Sequence, residues 1–280
     1  PKSLKHRIAD KLVFSKWREG LGGNMITLVS GSAALSTKLN RSFHGAGIPI
    51  LEGYGLTETS PVIAVNSFER VKIGTVGHVL DNLDVKIQAD GEITVKGPSV
   101  FQGYYKDEEK TKEAFTEDGY FMTGDIGHID EEGFLHITDR KKEMFKTSGG
   151  KYVAPQVLEN LAKGSKFIEQ IMVVGDGEKM PCALVQPDYA FAKLWAERKH
   201  LKIGKTPEEM ANSPELKARI MKDINLLNAT LGKWEQIKKI ELTPTLWTIE
   251  DGLLTPTMKL KRKAVKEKFF NLYEKLYDRA

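Results

Sequence analysis

Two short apolar runs, residues 25–29 and 48–51, each follow a helical pattern and each lead into a loop of glycine and small polar residues. Apolar side chains recur at helical spacing over residues 2–19, and residues 35–44 predict a second helix that ends before Gly45. Helix, strand, helix and strand with short connections are typical of a parallel α/β sheet. Ligands of such sheets bind beyond the carboxyl ends of the strands, so both loops could face one crevice.

The pattern changes after about residue 66, where apolar and polar residues begin to alternate with the period of a half-buried strand. The alternating segments are residues 76–79, 84–88, 92–96, 127–130 and 134–138. A tight turn at residues 89–91 separates segments 84–88 and 92–96, and another at residues 131–133 separates 127–130 and 134–138. Residues 107–115 interrupt the series with a helical pattern. This stretch predicts a small antiparallel sheet that resembles a β-barrel.

A third region begins near residues 140–142, where the charge changes sign: residues 1–139 carry a net charge of −5 and residues 140–280 carry +9. Beyond this point helical and strand patterns mix without a βαβ repeat. The helices are predicted at residues 154–163, 214–231 and 262–277, and the strands at 170–175, 183–186 and 237–242. The predicted fold class is therefore α/β followed by α+β, with one domain at residues 1–139 and another at 140–280.

Several kinds of protein are excluded by the sequence. No apolar run approaches the roughly 18 residues of a membrane-spanning helix. The single cysteine, Cys182, allows no internal disulfide and no Cys-rich zinc module, and it suits a reducing compartment such as the cytoplasm. No HExxH or GxSxG motif occurs, and residues 204–206 (GKT) lack the first glycine of a phosphate loop, because position 199 is a lysine.

The first candidate site is residues 51–62, LEGYGLTETSPV. Gly53 and Gly55 would let the backbone approach a ligand closely, and Tyr54 could offer a flat face to a base ring. The hydroxyl of Thr57 and the carboxylate of Glu58 suit a phosphate and a hard divalent cation. Each feature alone has an ordinary explanation, since glycine-rich turns are usually only turns and a lone glutamate usually faces solvent.

Two further segments could carry chemistry. In residues 121–140, Asp125 lies in a predicted turn flanked by glycines, where it could hold ribose hydroxyls or merely cap its own backbone. Arg140 could pair with a phosphate or lie on the surface. In residues 251–263, Lys259 precedes a predicted helix and could deliver a positive charge to a transition state. The basic run 259–268 is also explained by a solvated helix start or a nucleic-acid patch.

Six segments resemble, in the same order, the motifs of the adenylate-forming superfamily of acyl-CoA synthetases, peptide-synthetase adenylation domains and luciferases. They read SGSAALS, EGYGLTETSPV, GEITVKGPSVFQGYY, TGDIG, DRKKEMFKTSGGKYVAPQVLE and LLTPTMKLKRK. The forms DRKK and LTPTMKLKR are similar to those of long-chain fatty acyl-CoA synthetases. SGSAALS departs from the family pattern, with Ser32 and Ala34 where glycine and proline are frequent.

The resemblance implies roles for individual residues. The implied nucleotide site comprises Gly31, Ser32, Ala33, Glu52, Gly53, Tyr54, Gly55, Thr57, Asp125, Arg140 and Lys146. In it, Tyr54 would stack on adenine, and Asp125 and Arg140 would hold the ribose. The implied catalytic residues are Lys259, Glu58 and Thr57: Lys259 would stabilise charge as a carboxylate attacks the α-phosphate, Thr57 would contact that phosphate, and Glu58 would bind Mg²⁺.

The resemblance also implies a conformational cycle. The C-terminal domain would be mobile about a hinge at Lys142, and its rotation would replace Lys259 with the loop of Ser148, Gly149 and Gly150, which would line a tunnel for coenzyme A. The implied substrates are a long-chain fatty acid, ATP and coenzyme A, with acyl-AMP as the intermediate. Two alternatives stay open: an adenylation domain that loads a carrier protein, and a noncatalytic nucleotide- or nucleic-acid-binding protein.

One family motif does not occur in residues 1–50, the Ser/Thr/Gly-rich phosphate loop that lies upstream of the Tyr54 motif. We therefore expect this chain to be the C-terminal half of a ligase, to work with the missing N-terminal part of its own chain, and to be inactive alone. We expect no nucleic-acid partner and a cytoplasmic protein, and a long-chain substrate would suit peripheral association with a membrane.

Overall fold

The computed structural model describes residues 3–279 and divides between Lys141 and Lys142 into two compact units. The helices and strands of the first unit are, in chain order, α1 (Leu4–Ala9), α2 (Ser15–Gly20), β1 (Leu28–Ser30), α3 (Thr37–Gly45), β2 (Ile50–Gly55), β3 (Val62–Val65), β4 (His78–Val79), β5 (Asp84–Ile87), β6 (Glu92–Lys96), α4 (Glu108–Glu113), β7 (Phe121–Ile129) and β8 (Leu135–Arg140). A π-helical stretch, Asp10–Phe14, joins α1 to α2, and a 3₁₀ turn, Thr57–Thr59, lies between β2 and β3.

The first sheet has the strand order β1-β2-β3-β4. Strands β1 and β2 are parallel, with Ser30 opposite Glu52, and α3 connects them. This confirms the parallel pair that the sequence predicts. Strands β3 and β4 then add in antiparallel fashion, so the change in strand direction begins at β3, just before the change in sequence pattern near residue 66.

The second sheet, in the order β5-β6-β7-β8, is antiparallel throughout, as predicted. Along most of β7 every second residue is buried, because one face of the sheet packs on an apolar core that includes Val95 and Phe121. Backbone bonds between Gly77 and Leu135 and between Val76 and Leu135 join the two sheets at their edges. These bonds connect the sheet that contains β1 and β2 to the sheet that contains β7 and β8.

The second unit is α+β. Its elements are β9 (Phe145–Lys146), β10 (Tyr152–Val153), α5 (Pro155–Ala162), β11 (Ile168–Val174), β12 (Cys182–Pro187), α6 (Tyr189–Lys199), α7 (Pro207–Ala211), α8 (Pro214–Asn228), β13 (Ile240–Leu242), α9 (Arg262–Lys268) and α10 (Phe270–Leu276). The predicted terminal helix, residues 262–277, is interrupted at Phe269, whose backbone leaves the helical region (φ −111°, ψ 33°). The side chain of Phe269 is buried beside Trp247, with ring centroids 6.1 Å apart.

The sheet β11-β12-β13 is covered on both faces, which explains why its strands are continuously apolar. Ile171 and Val173 pack on one face in a core with Leu158 of α5. Met172 and Leu184 pack on the other face in a core that reaches the C-terminal helices. Between residues 3 and 279, no helix is both long and apolar enough to cross a bilayer.

Candidate functional site

The parallel pairing of β1 and β2 brings the small-residue segment after β1 next to Gly53. A Cβ atom at Gly31 would lie 3.5 Å from the carbonyl oxygen of Gly53. Gly31, Ser32 and Ala33 are exposed, and Ser32 has a left-handed backbone (φ 64°). The small-residue segment after β1 therefore lies beside the end of β2 that contains Gly53.

Glu52 is buried, and its carboxylate is used within the protein. One oxygen accepts a hydrogen bond from the amide group of Asn40 at 2.9 Å, and the other accepts from the backbone N–H of Leu35 at 3.3 Å. Asn40 belongs to α3 and Leu35 precedes it. Glu52 thus holds the start of α3, and with it the small-residue loop, against β2.

Gly53, Tyr54 and Gly55 lie in strand β2, so the interpretation of this whole segment as a loop is wrong. Tyr54 pairs with Ala64 of β3, and a bulge follows at Gly55. A Cβ at Gly55 would lie 1.6 Å from the carbonyl oxygen of Pro61, so the return of the chain after the 3₁₀ turn requires glycine here. Long-range pairing with β3 makes a strand of a sequence whose local composition favours a turn.

Tyr54, Asp125 and Arg140 form one hydrogen-bonded group. The hydroxyl of Tyr54 donates to one carboxylate oxygen of Asp125 at 2.7 Å, and Nε of Arg140 lies 3.1 Å from the other oxygen. Asp125 is buried, whereas half of the Arg140 side chain is exposed. Burial, followed by the charge of Asp125, raises the pKa of Tyr54, so the phenol keeps its proton and remains a donor.

Asp125 lies inside strand β7 and directly opposite Arg140 in β8, so its prediction as a turn residue is also wrong. Gly124 takes a left-handed conformation (φ 71°) that bends the strand without ending it. The backbone N–H of Asp125 donates to the hydroxyl of Thr123 at 3.1 Å, and that hydroxyl donates to the carbonyl of Ile93 at 2.7 Å. Thr123 is a supporting residue that sequence reasoning missed.

Thr57 and Glu58 lie on the 3₁₀ turn between β2 and β3. Thr59 is buried and holds the turn, because its hydroxyl accepts from the N–H of Leu56 at 3.0 Å and lies 2.7 Å from the carbonyl oxygen of Pro61. Thr57 is exposed and Glu58 is half-buried. The hydroxyl of Tyr104, which the sequence did not single out, donates to the Glu58 carboxylate at 3.1 Å. Burial and then Glu58 raise the pKa of Tyr104.

In the second unit, Lys146 and the loop of Ser148, Gly149 and Gly150 are exposed. The loop is anchored by its backbone: the N–H of Ser148 donates to the carbonyl of Glu178 and the N–H of Gly150 donates to that of Thr147, both at 2.8 Å. The loop is exposed within the described part of this unit, so a ligand could approach it.

Lys259 lies in a tight hairpin just before α9, as the sequence predicts for a loop ahead of a helix. The N–H of Thr255 donates to the carbonyl of Lys259 at 2.8 Å, and the N–H of Lys259 donates to the Thr255 hydroxyl at 3.0 Å. A β-bridge between Leu254 and Leu260 closes the base. The Lys259 side chain is exposed, so its ammonium group is presented to solvent at the tip.

Two family models match the chain. The model described as AMP-binding enzyme matches residues 3–105, and the model described as AMP-binding enzyme C-terminal domain matches residues 143–280. These matches confirm the resemblance that the sequence motifs indicate.

Similar curated proteins include long-chain-fatty-acid–CoA ligases. FadD15 of Mycobacterium bovis, a long-chain-fatty-acid–CoA ligase, is 44% identical over 275 residues, which are 98% of this chain and 46% of that protein. Long-chain-fatty-acid–CoA ligase 6 of Rattus norvegicus is 38% identical over 285 residues, which cover 96% of this chain and 41% of that protein. The chain therefore spans less than half the length of these relatives.

Solved structures of similar fold support the architecture. The adenylation domain of the carboxylate reductase from Mycobacterium chelonae matches with a TM-score of 0.76 at 26% identity, over 99% of this chain and 42% of that one. ATP-bound MatB from Rhodopseudomonas palustris matches with a TM-score of 0.65 at 27% identity, over 88% of this chain and 46% of that one. The predicted mixed α/β and α+β fold class is confirmed.

Proposed function

Because the chain belongs to the AMP-binding enzyme family, we propose that it is part of a ligase that joins a long-chain fatty acid to coenzyme A at the expense of ATP. The identity of 44% with a long-chain ligase supports the fatty-acid substrate. The group of Tyr54, Asp125 and Arg140 is the observation that carries the nucleotide part of the proposal. The chain would work together with a polypeptide equivalent to the rest of these longer relatives.

The reaction has two steps. In the first, a carboxylate oxygen of the fatty acid attacks the α-phosphorus of ATP, the bond from that phosphorus to the bridging oxygen breaks, and pyrophosphate leaves. In the second, the thiol of coenzyme A loses its proton to solvent and attacks the acyl carbon, and AMP leaves. An acyl thioester, AMP and pyrophosphate are the products.

Nucleotide binding would use the first unit. The ring of Tyr54 would stack on adenine, with the exposed loop of Gly31, Ser32 and Ala33 opposite. The buried carboxylate of Asp125, held by Tyr54 and Thr123, would accept hydrogen bonds from the ribose hydroxyls. Because hydrogen bonds to a charged acceptor are stronger than neutral ones, a fixed carboxylate suits this task. Thr57 would contact the α-phosphate.

Glu58 suits a magnesium ion that arrives with ATP. Within residues 3–279 no cluster of three or more His, Cys, Asp or Glu side chains could hold a metal. Mg²⁺ in nucleotide sites is typically held by one or two carboxylates together with the phosphates, and the half-buried Glu58 matches that requirement. The ion would neutralise negative charge on the phosphates, and Tyr104 would keep the Glu58 carboxylate in place.

Lys259 and the Ser148–Gly150 loop would act in different steps. Lys259 would stabilise the negative charge that develops as the carboxylate attacks, and Lys146 would contact the adenylate. Rotation about Lys142 would then bring the Ser148, Gly149 and Gly150 loop to line the path of coenzyme A, a type of step known in many enzymes. A hinge that begins at Lys142 is consistent with the contact of Lys141, whose N–H donates to the carbonyl of Gly124 in the first unit at 2.8 Å.

The acceptor could instead be a carrier protein. A structure of similar fold is the didomain of a carboxylic acid reductase with its PCP, which matches with a TM-score of 0.74 at 26% identity. The higher identity to ligases named for coenzyme A favours the free thiol. Thioester formation that ignores coenzyme A and requires a carrier protein would reverse this choice.

The proposal is tested by ATP–pyrophosphate exchange that depends on a long-chain fatty acid, measured on the full product of the gene. Lys259→Ala should abolish most of the exchange, whereas Lys263→Ala, a change at a side chain that is 92% exposed, should leave it intact. Absence of exchange with any carboxylic acid would refute the proposal and favour a nucleotide- or nucleic-acid-binding role.

We also propose that the enzyme is cytoplasmic. A flotation assay with lipid vesicles tests whether it also binds to a membrane surface.

A further inference from the structure

A partly buried ionic cluster in the second unit joins segments that are distant in sequence. Arg262, the first residue of α9, donates from one terminal nitrogen to both carboxylate oxygens of Glu159 in α5, at 2.8 Å each. Its Nε donates to Glu143 at 3.0 Å, and its other terminal nitrogen donates to the carbonyl of Val173 in β11 at 3.2 Å. Because every nitrogen of the planar guanidinium is engaged, Arg262 has one fixed orientation.

The partners of Arg262 are themselves held. Glu159 is only 5% exposed and also accepts the backbone N–H of Val173 at 2.7 Å. Glu143 also accepts the amide group of Gln156 at 2.7 Å. The cluster thus fixes three parts of the unit to one another: the segment that follows Lys142, the helix α5 and the start of α9.

The chain that carries Lys259 leads directly into this cluster. The N–H of Lys261 donates to the carbonyl of Leu253 at 2.9 Å and closes the hairpin, and Arg262 is the next residue. Within residues 3–279, Lys261, the N-cap residue of α9, makes no side-chain capping bond. Lys259 itself is exposed. On its N-terminal side the hairpin is held by backbone bonds from Leu253 and Leu254 to the carbonyl of Thr248, both at 3.1 Å. On its C-terminal side the side chain of Arg262 fixes the chain to the rest of the unit.

We propose that Arg262 is a positioning residue for Lys259. It holds the hairpin in a fixed relation to Glu143, so that the Lys259 ammonium group reaches one defined point whenever the second unit turns about Lys142. Stability alone does not require such a cluster, because apolar residues in place of a buried ion pair are often neutral or stabilising. The hydrogen bonds of the Arg262 guanidinium instead fix the orientation of the chain that leads from Lys259 into α9. The inference rests on the proposed function and extends it to a residue outside the reacting groups.

The test separates the two half-reactions in the full product of the gene. Arg262→Lys keeps the charge and loses the fork of donors. We expect it to slow adenylate formation, read as pyrophosphate exchange, by about 100-fold, the effect of a misplacement near 1 Å. Thioester formation from supplied acyl-AMP and coenzyme A should change by less than about 2-fold, because Lys259 takes no part in it. Lys263→Ala is the matched control and should behave as the wild type.

A double-mutant cycle distinguishes positioning from a structural role. In a Lys259→Ala background, Arg262→Lys should cause no further loss of exchange. An additive loss there, or an equal loss in both half-reactions, would overturn the inference. Wild-type protein without any exchange would instead overturn the proposed function, before the variants are compared.

A milder variant covers the case in which Arg262→Lys does not fold. Glu143→Gln removes one charged acceptor and leaves the pair of Arg262 with Glu159 intact. It should give a smaller loss, confined to adenylate formation and absent in the Lys259→Ala background. Wild-type exchange by folded Glu143→Gln protein would count against the inference.

Discussion

The hydroxyl of Tyr54 donates a hydrogen bond of 2.7 Å to the carboxylate of Asp125, which lies 71 residues later in the chain. The bond joins strand β2 of the first sheet to strand β7 of the second. It therefore fixes an aromatic ring and a buried carboxylate relative to each other. In the proposed function these two groups bind the base and the ribose, so a nucleotide site built on them would be preorganised.

Replacing Tyr54 with phenylalanine removes this hydrogen bond and keeps the aromatic ring, so the variant measures what the bond alone contributes to stability. Asp125 is 4% exposed, and a buried charged group that loses a donor destabilises the fold by about 1–3 kcal/mol. We expect the free energy of unfolding in urea, followed by circular dichroism, to fall by that amount in Tyr54→Phe. Tyr105→Phe is the control, because Tyr105 is 88% exposed and should have no effect. Equal stability of the two variants would show that the bond contributes nothing.

Asp125→Asn should weaken recognition of the ribose. The variant keeps the shape of the side chain but loses the charge that strengthens hydrogen bonds from two hydroxyls, worth about 1.5–3 kcal/mol each. In the full product of the gene, we expect the KM for ATP to rise at least 10-fold, and the KM for 2′-deoxy-ATP to rise less. The advantage of ATP over its deoxy analogue should therefore shrink.

The control for this experiment is Asp118→Asn, which removes an exposed carboxylate from the same unit. It should leave both KM values unchanged. A rise of the same size for ATP and for 2′-deoxy-ATP in Asp125→Asn would exclude the 2′-hydroxyl as the partner of Asp125.

Many of the elements could be predicted from the sequence, because they depend on local periodicity. The parallel pair β1 and β2, the antiparallel strands of the second sheet and the position of Lys259 in a loop ahead of a helix follow from apolar patterns and turn residues. The backbone conformation of the candidate site residues could not be predicted from the sequence. Gly53 to Gly55 and Gly124-Asp125 have the composition of turns, yet both lie in strands, because pairing with β3 and with β8 overrides the local preference.

Contacts between residues far apart in the sequence could not be predicted either. Glu159 and Glu143 precede Arg262 by 103 and 119 residues, and no pattern in the sequence links them. Helix α6 (Tyr189–Lys199) was missed for another reason. Its buried side is formed by Tyr189 and two alanines, whereas Leu194 is 53% exposed, so its apolar residues do not mark the face that packs.

Two glycines of the site should respond differently to alanine. A Cβ at Gly55 would lie 1.6 Å from the carbonyl oxygen of Pro61, so the backbone must move, and we expect a loss of about 3 kcal/mol in the free energy of unfolding, the upper end of the usual cost of overpacking. A Cβ at Gly124 would meet no atom of residues 3–279 within 4 Å, although the φ of Gly124 is 71°. Gly124→Ala should lose only about 1–2 kcal/mol, the penalty of a left-handed residue. Urea unfolding of both variants tests whether Gly55→Ala loses more stability than Gly124→Ala. A smaller loss in Gly55→Ala would contradict the prediction.

Acid should weaken the first unit through Asp130. Nζ of Lys72 lies 2.8 Å from its carboxylate and Nε2 of His136 lies 2.9 Å from it. Lys72 first, and His136 next, hold the pKa of Asp130 below its ordinary value of about 4. A lowered pKa in the folded state stabilises the protein above the ordinary value, and that stabilisation is lost as the pH falls below it.

The wild type should therefore lose more stability than Asp130→Asn between pH 6 and pH 3, because the variant has no carboxylate to protonate at this position. Urea midpoints measured at intervals across that range give the comparison. Other carboxylates titrate in both proteins, so the difference between the two curves isolates Asp130. The Lys72–Asp130 pair is at the surface, and raising the salt concentration should reduce that difference by screening. Parallel curves at low salt would show that the ion pairs of Asp130 do not stabilise the folded state.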